Sequence, residues 1–346
     1  MTIIDDANDH AWFRVEDLAV AGSVRREASR LAERLGFDAE RVGEVGIVAT
    51  ELATNLVKHA AQGAVIIRVV RSEEIAGLQL LAIDTGPGMA DPRQSAEDGR
   101  STSGSLGIGL GAVSRLASAV DGYSLPGRGT ILLATLWPRT PTPPLPPRAA
   151  ALTRPMTGED VCGDAGAIRA IGSGLLVVLA DGLGHGPLAA TASQEAVRAF
   201  HSTEGGPAAI LAELHRGIRA TRGAAVAVAV IDPDDRCVTY AGVGNIAGWI
   251  VDGSGRRGLP SKPGIVGHQM QSVTESRHDL PRGATVVLHS DGLSDKWDLG
   301  AYPGLRARDP AVIAATLLRD AGIRHDDAAV LVARAERRET DSRSAR

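Results

Sequence analysis

Acidic side chains recur in this 346-residue sequence where apolar runs end in glycine. "CGDAGAI" carries Asp164, "LADGLGHG" Asp181, "HSDGLSD" Asp291, and "RHDDAAVLV" the pair Asp326 and Asp327. Carboxylates leaving buried strands are costly to hold together unless something cancels their charge. Divalent cations do so; an oxygen-rich set suits Mg²⁺ or Mn²⁺, and there is no clustered Cys/His set of the zinc kind. The spacing equally fits four unrelated turn aspartates. An earlier group has a different character. In "ELATNLVKHA", Glu51, Asn55 and His59 recur every four residues as a polar line. A carboxylate and an amide one helical turn apart can orient a nucleophile and ligate Mg²⁺, or can form a surface capping and ion-pair face. Asp84 ends an apolar run at "DTGPG", where Gly86 and Gly88 permit a sharp turn. A carboxylate there can accept from an exocyclic amine such as that of adenine; the alternative is a plain turn. Last comes "GIGLG", with Gly107, Gly109 and Gly111 ahead of the helical run "AVSRLASAV". Its amides could meet phosphates at a helix N-terminus, or it is a flexible loop. The spacing is not that of a dinucleotide fold, a P-loop or a protein-kinase catalytic loop.

These groups need scaffolds. Over residues 41 to 60, Val45, Val48, Leu52 and Leu56 at spacings of three and four predict one helix facing a core. "AVIIRVV", "GLQLLAI" and "GTILLATLW" read as strands, giving helices against one face of a mixed sheet. At "PRTPTPPLPPR", prolines 138, 141, 143, 144, 146 and 147 remove donors and fix φ. The segment reads as a polyproline spacer about 30 Å long. Residues 1–138 are therefore expected as one domain, 139–150 as a linker, 151–335 as a second domain and 336–346 as a polar tail. The second domain shows a strand near Ala167 to Ile171, then "GLLVVLA", helices over 188–202 and 207–221, and further strands "AAVAVAVID", "RCVTYAGVGN", "AGWIVDG" and "ATVVLHS". A last helix near 311–321 leads to "DDAAVLVAR". A sheet-on-sheet core flanked by helices follows.

Composition excludes several classes. Hydrophobic residues at 44% and charged residues at 23% suit a globular chain, and 3% aromatics mean cores of Ala, Val, Leu and Ile. Basic and acidic residues number 13 and 18 up to Pro138 and 24 and 23 beyond it. That balance lacks a nucleic-acid footprint. Cys162 and Cys237, expected in different strands, make no disulfide framework and read as small buried hydrophobes. The acidic start "MTIIDDANDH" is unlike a signal peptide, and "GAAVAVAVI" is too short to span a bilayer. A cytoplasmic protein with neither nucleic-acid nor membrane partner is expected.

In order and spacing, the Glu51–Asn55 helix, "DTGPG" and the glycine ladder resemble the ATP-binding fold shared by gyrase, Hsp90 chaperones, histidine kinases and MutL (the GHKL type), as a two-layer α/β sandwich. "AEDGRSTSGSLGIGLGAVSRL" and "GRGT" at 127–130 are similar to the lid and final box of its RsbT-type serine kinases. The resemblance implies Glu51 as general base, Asn55 holding Mg²⁺, Asp84 reading adenine of ATP, and Gly86, Gly88, Gly107, Gly109, Gly111 and Thr130 shaping the pocket. Lys58 and His59 receive no role. From about 155 to 335 the aspartate series, with "AGVGN", resembles the PPM serine/threonine phosphatases of the SpoIIE and RsbX branch. It implies Asp181 bridging two Mn²⁺ or Mg²⁺ ions with the Gly182 carbonyl on one, Asp164 on the second ion, and Asp291 and Asp326 on the first. Asp327 is the alternative to Asp326, and His185 either steadies the loop or is structural. The two resemblances together imply a chain that phosphorylates and dephosphorylates Ser or Thr of a STAS-type antagonist within partner-switching or stressosome control, with a sigma factor or downstream regulator as a further partner. Two alternatives stay open: an ATP-dependent binding domain beside a catalytic phosphatase, and a phosphatase regulated by nucleotide.

Overall fold

The computed structural model of the protein describes residues 2–6, 10–72, 75–89, 108–139, 144 and 146–335. The chain clusters into two compact units. One comprises Asp9–Pro147 with Ala307–Arg319, the other Met1–Asn8 with Arg148–Arg306 and Asp320–Arg346. The opening strand, β1 (Thr2–Asp6), belongs to the second of these.

The first unit contains β2 (His10–Val15), α1 (Leu18–Arg34), α2 (Ala39–His59), β3 (Gly63–Ser72), β4 (Ile75–Asp84), α3 (Ile108–Leu116), β5 (Ala119–Leu125) and β6 (Gly129–Leu136). Its sheet runs β2-β3-β4-β6-β5 and every pairing is antiparallel, where a mixed sheet was expected. The stripe predicted for α2 is buried: Val45, Val48, Leu52 and Leu56 pack with Val24 and Ala28 of α1 on Val65, Ile67, Leu78 and Leu80 of the sheet. Both helices start at aspartates. Asp17 accepts from the Ala19 and Val20 amides, and Asp38 from the Arg41 amide at 2.7 Å, which satisfies donors a helix start leaves unpaired. Arg41 then pins α2 from within. It is 7% exposed and donates to the Trp137 carbonyl at 2.9 Å, the Leu116 carbonyl at 2.6 Å and Ser118 Oγ at 2.7 Å. The helix that carries Glu51 and Asn55 is thereby fixed to the ends of α3 and the sheet. The run "AVSRLASAV" is not one helix: α3 ends at Leu116, and Ala119 already begins β5.

The second unit adds β7 (Ala149–Arg154), β8 (Asp164–Ile171), β9 (Gly174–Gly182), α4 (Pro187–Ser202), α5 (Pro207–Gly217), β10 (Ala224–Asp232), β11 (Cys237–Val243), β12 (Ala247–Asp252), β13 (Gly255–Leu259), β14 (Ser276–Asp279) and β15 (Thr285–His289). After them come α6 (Pro310–Ala321) and β16 (Ala328–Arg334). Two antiparallel sheets, β1-β8-β9-β10-β11-β14 and β13-β12-β15-β16-β7, enclose Leu175, Val177, Leu179, Ile250, Val286, Leu288 and Leu331. Helices α4 and α5 cover the outer face of the first sheet through Val197, Phe200, Ile210 and Leu214. This is the expected sandwich flanked by helices. Alternation along β10 explains it: Ala225, Ala227 and Ala229 face the inner core while Val226 and Val228 face the helices. The residues of α6 up to Arg319 cluster with the first unit. There Arg308 pairs with Asp121 at 3.1 Å, and Arg319 donates to the Asp84 carbonyl at 3.4 Å. The linker is described only in part, and β7 begins at Ala149 inside its expected span; the tail 336–346 lies outside the described residues. No helix among the described residues is long and apolar enough to cross a membrane.

Candidate active sites

In the first unit the candidate site lies where α2 and β4 end and β6 begins. Asp84 is the last residue of β4, and its Oδ1 accepts from the Gly86 amide at 2.6 Å. Burial raises the Asp84 pKa, while donors from Gly86 and Thr130 and the Arg319 charge pull it back. Thr130, at the start of β6 and 6% exposed, also shares a 3.0 Å contact with Ser124 Oγ, and Ser124 Oγ accepts from the Met89 amide at 2.7 Å. The chain turns back tightly here. Gly88 has φ of 70°, and a Cβ on it would sit 2.1 Å from the Leu125 carbonyl, so no other residue fits. Gly86 lies against the His59 carbonyl, so the C-terminal end of α2 meets this turn. The structure thus brings Asp84, Gly86, Gly88 and Thr130 together and sets Glu51 and Asn55, both half-buried, one turn apart on α2. The glycine ladder differs from the expectation. Gly107 lies outside the described residues, while Gly109 and Gly111 fall inside α3, because the helix starts at Ile108 rather than after Gly111.

In the second unit the acidic residues are neighbours. Asp164 and Asp181 are register partners on β8 and β9. The Gly182 amide donates to the Gly163 carbonyl at 3.2 Å, and a Cβ on Gly182 would lie 2.1 Å from the Ala189 carbonyl, so only glycine lets α4 approach. Asp327 Oδ2 faces Gly163, and its Oδ1 accepts from the Met156 amide at 2.8 Å. The Ile323 amide donates to the Gly292 carbonyl at 2.7 Å, closing the loop that carries Asp326 onto the turn after Asp291. Asp291 Oδ2 accepts from Asn245 Nδ2 at 2.6 Å.

Their charges act on one another. Burial, then the Asp181 charge, hold Asp164 well above the usual carboxylate range. Burial followed by the Asp291 and Asp326 charges pushes Asp181 up to about 7, with a hydrogen bond to Asp164 opposing the shift. Burial and Asp291 raise Asp326. The Asp326 charge acts on Asp181, whereas the Asp327 charge acts on both Asp164 and Asp181. Among the described residues no three His, Cys, Asp or Glu side chains surround one point that could hold a metal ion. The donor chemistry nonetheless fits hard cations. Asp164 is 5% exposed, and Asp327 Oδ2 is buried with no hydrogen-bond partner among the described residues.

Sequence reasoning missed several participants. Glu159 accepts or shares a proton with His185 Nδ1 at 2.9 Å, which accounts for an exposed histidine as a loop tie. Asn245 was visible only as the end of "AGVGN", and Ser290 only as the residue before Asp291; a side chain adjacent to an aspartate carries no signal until the fold shows its partner. Cys162 sits in the loop before β8 rather than in a strand, and burial raises its thiol pKa. Cys237 opens β11; both cysteines are free.

Comparisons with known proteins match two separate stretches of the chain. The family model described as a histidine kinase-like ATPase domain matches residues 15–136. Serine/threonine-protein kinase RsbT of Bacillus subtilis (strain 168) is 35% identical over 132 residues, 38% of this chain and 99% of that protein. The chain belongs to the RsbT family. Beyond the linker, the model of stage II sporulation protein E (SpoIIE) matches residues 172–336, which places a SpoIIE-type PPM phosphatase domain after the RsbT-like domain. Phosphoserine phosphatase RsbX of the same bacterium is 27% identical over 141 residues, 40% of this chain and 70% of that protein. A chain from the solved structure "The bacterial stressosome: a modular system that has been adapted to control secondary messenger signaling" is 31% identical, covers 54% of this chain and 98% of its own, and has a TM-score of 0.50.

Proposed function

We propose that this chain sets the phosphorylation state of a regulatory protein in both directions. The RsbT-like domain transfers the γ-phosphoryl group of ATP to a Ser or Thr hydroxyl, and the SpoIIE-type domain hydrolyses such a phosphoester. The observation that carries the reading is the pairing of two different acidic sites on one chain: a single donor-supported Asp84, and a cluster of carboxylates around Asp164 and Asp181.

In the first site Asp84 would accept from the adenine amine, with Thr130 fixing its orientation, and Gly86 and Gly88 would let backbone approach the nucleotide. Glu51 would take the proton from the acceptor hydroxyl, and Asn55, one turn further on α2, would hold the Mg²⁺ that neutralises the phosphates. Transfer of this kind depends on positioning and charge neutralisation. In the second site Asp181 would bridge two Mn²⁺ or Mg²⁺ ions with the Gly182 carbonyl, Asp164 would serve one ion, and Asp291 and Asp326 the other. Such ions supply an acidified water as nucleophile. The protein's part is to keep these carboxylates at the sheet ends and to admit a phosphoprotein. Exposed Val161, Leu183 and Ile323 lie on loops that carry or adjoin the aspartates, and exposed Leu188 lies in the first turn of α4 beside them, apolar surface that suits a folded substrate better than a small ester.

The substrate that fits the resemblance is a STAS-type antagonist in a cytoplasmic partner-switching or stressosome system, with a sigma factor or downstream regulator as a further partner. The test is phosphate transfer from labelled ATP to a captured partner, followed by release with Mn²⁺. Transfer that Glu51→Gln abolishes while partner binding persists supports the kinase; binding without any transfer by the unaltered chain would make the first domain an ATP-dependent binding module.

A further inference from the structure

Ser290 follows β15, is 1% exposed, and precedes Asp291. Its amide donates to the Ala329 carbonyl at 3.1 Å, and the Ala329 amide donates to Ser290 Oγ at 2.9 Å. With that lone pair occupied, the hydroxyl proton is directed at Asp164 Oδ2, 2.6 Å away. The length is that of a charge-assisted O–H···O bond. Ala329 lies two residues beyond Asp327, so one hydroxyl joins the strand of Asp164, the turn of Asp291 and the strand after Asp327.

We infer that Ser290 is a positioning residue of the acidic site: by capping Asp164 Oδ2 it leaves Oδ1 as the oxygen offered to a cation, and so sets the affinity of the cation that Asp164 serves. The inference rests on the two-cation reading given above. Alanine at 290 would leave both Asp164 Oδ2 and the Ala329 amide without their partner and let the carboxylate rotate.

The test is calorimetric titration of the full chain, stripped of metal, with Mn²⁺ alone. Two sites are expected in the unaltered protein. Ser290→Ala should weaken one of them about 10–100-fold, the range for removing a partner of a metal-binding side chain, and leave the other unchanged. In an Asp164→Asn background the same change should have no further effect, because Ser290 acts through Asp164. Ser290→Cys, near in size but a weak donor, should weaken the same site by less, and it stands in if the alanine variant does not fold. Unchanged Mn²⁺ affinity in folded Ser290→Ala or Ser290→Cys overturns the inference, as does an equal loss in the Asp164→Asn background. An unaltered chain that binds no Mn²⁺ overturns the two-cation reading and this inference with it.

Discussion

The two sites treat a carboxylate in opposite ways. Asp84 is met by protein dipoles: the Gly86 amide and Thr130 oppose the effect of its burial. Around Asp181 the neighbours are mostly further carboxylates, and the pKa is driven up to about 7. A site already supplied with donors can read a neutral amine without further help. A site whose acids repel one another binds protons, and equally would bind cations. The architecture follows suit. Asp84 ends one strand of a single-layer sheet, whereas Asp164 and Asp181 stand side by side on paired strands, the register that makes their repulsion unavoidable.

That contrast can be broken or sharpened experimentally. The largest expected effect is from Asp181→Ala, which should reduce Mn²⁺-dependent hydrolysis of a phosphoprotein by about 10³-fold or more while phosphate transfer by the first domain continues, since the change removes the residue proposed to bridge both ions. Loss of both activities together would refute the separation. Next, Glu51→Gln should lower transfer about 10²–10⁴-fold, the usual worth of a general base, with ATP binding by fluorescence titration retained. Smaller is Asp84→Asn. Losing a charged acceptor for the adenine amine should weaken ATP binding about 10–100-fold and leave Mn²⁺-dependent hydrolysis untouched.

The smallest effect concerns pH. Asp181 titrates at about 7 in the fold against an ordinary 3.8, so between these values the folded chain keeps a proton that the unfolded chain has released. The metal-free protein should therefore lose stability as pH rises through this window, by at most about 1.4 kcal/mol per pH unit. Thermal melts in chelator should fall from about pH 5 to about pH 7.5, and added Mn²⁺ should reverse the trend because a cation then replaces the proton. Melts that rise with pH in chelator would show that the carboxylates are not crowded.

Much of this was legible before the fold was known, for identifiable reasons. The α2 stripe and the "AAVAVAVID" strand declare themselves because burial on one face, or on two, imposes a period. Asp84, Asp181 and Asp291 stand out because each closes a strand-like run and has a glycine within the next two residues. Edge strands were not legible: β13 reads "GRRGL" and β14 "SRHD", polar sequences whose strand state is imposed by pairing with β12 and β11. The β5 strand was hidden by helical spacing in "AVSRLASAV", where pairing of Ala119–Leu125 with β6 overrides local preference. Ser290 and Asn245 were legible only as letters of "HSDGLSD" and "AGVGN", not as partners of Asp164 and Asp291, since those hydrogen bonds span 126 and 46 residues of sequence.

The central claim is most directly tested by a crystal of the full chain grown with MnCl₂ and measured for anomalous scattering. The account predicts two peaks between the ends of β8 and β9 and the turn at Asp291, with Asp181 touching both. Peaks that avoid Asp164, Asp181 and Asp291, or a fully exchanged crystal with no manganese among them, would contradict it.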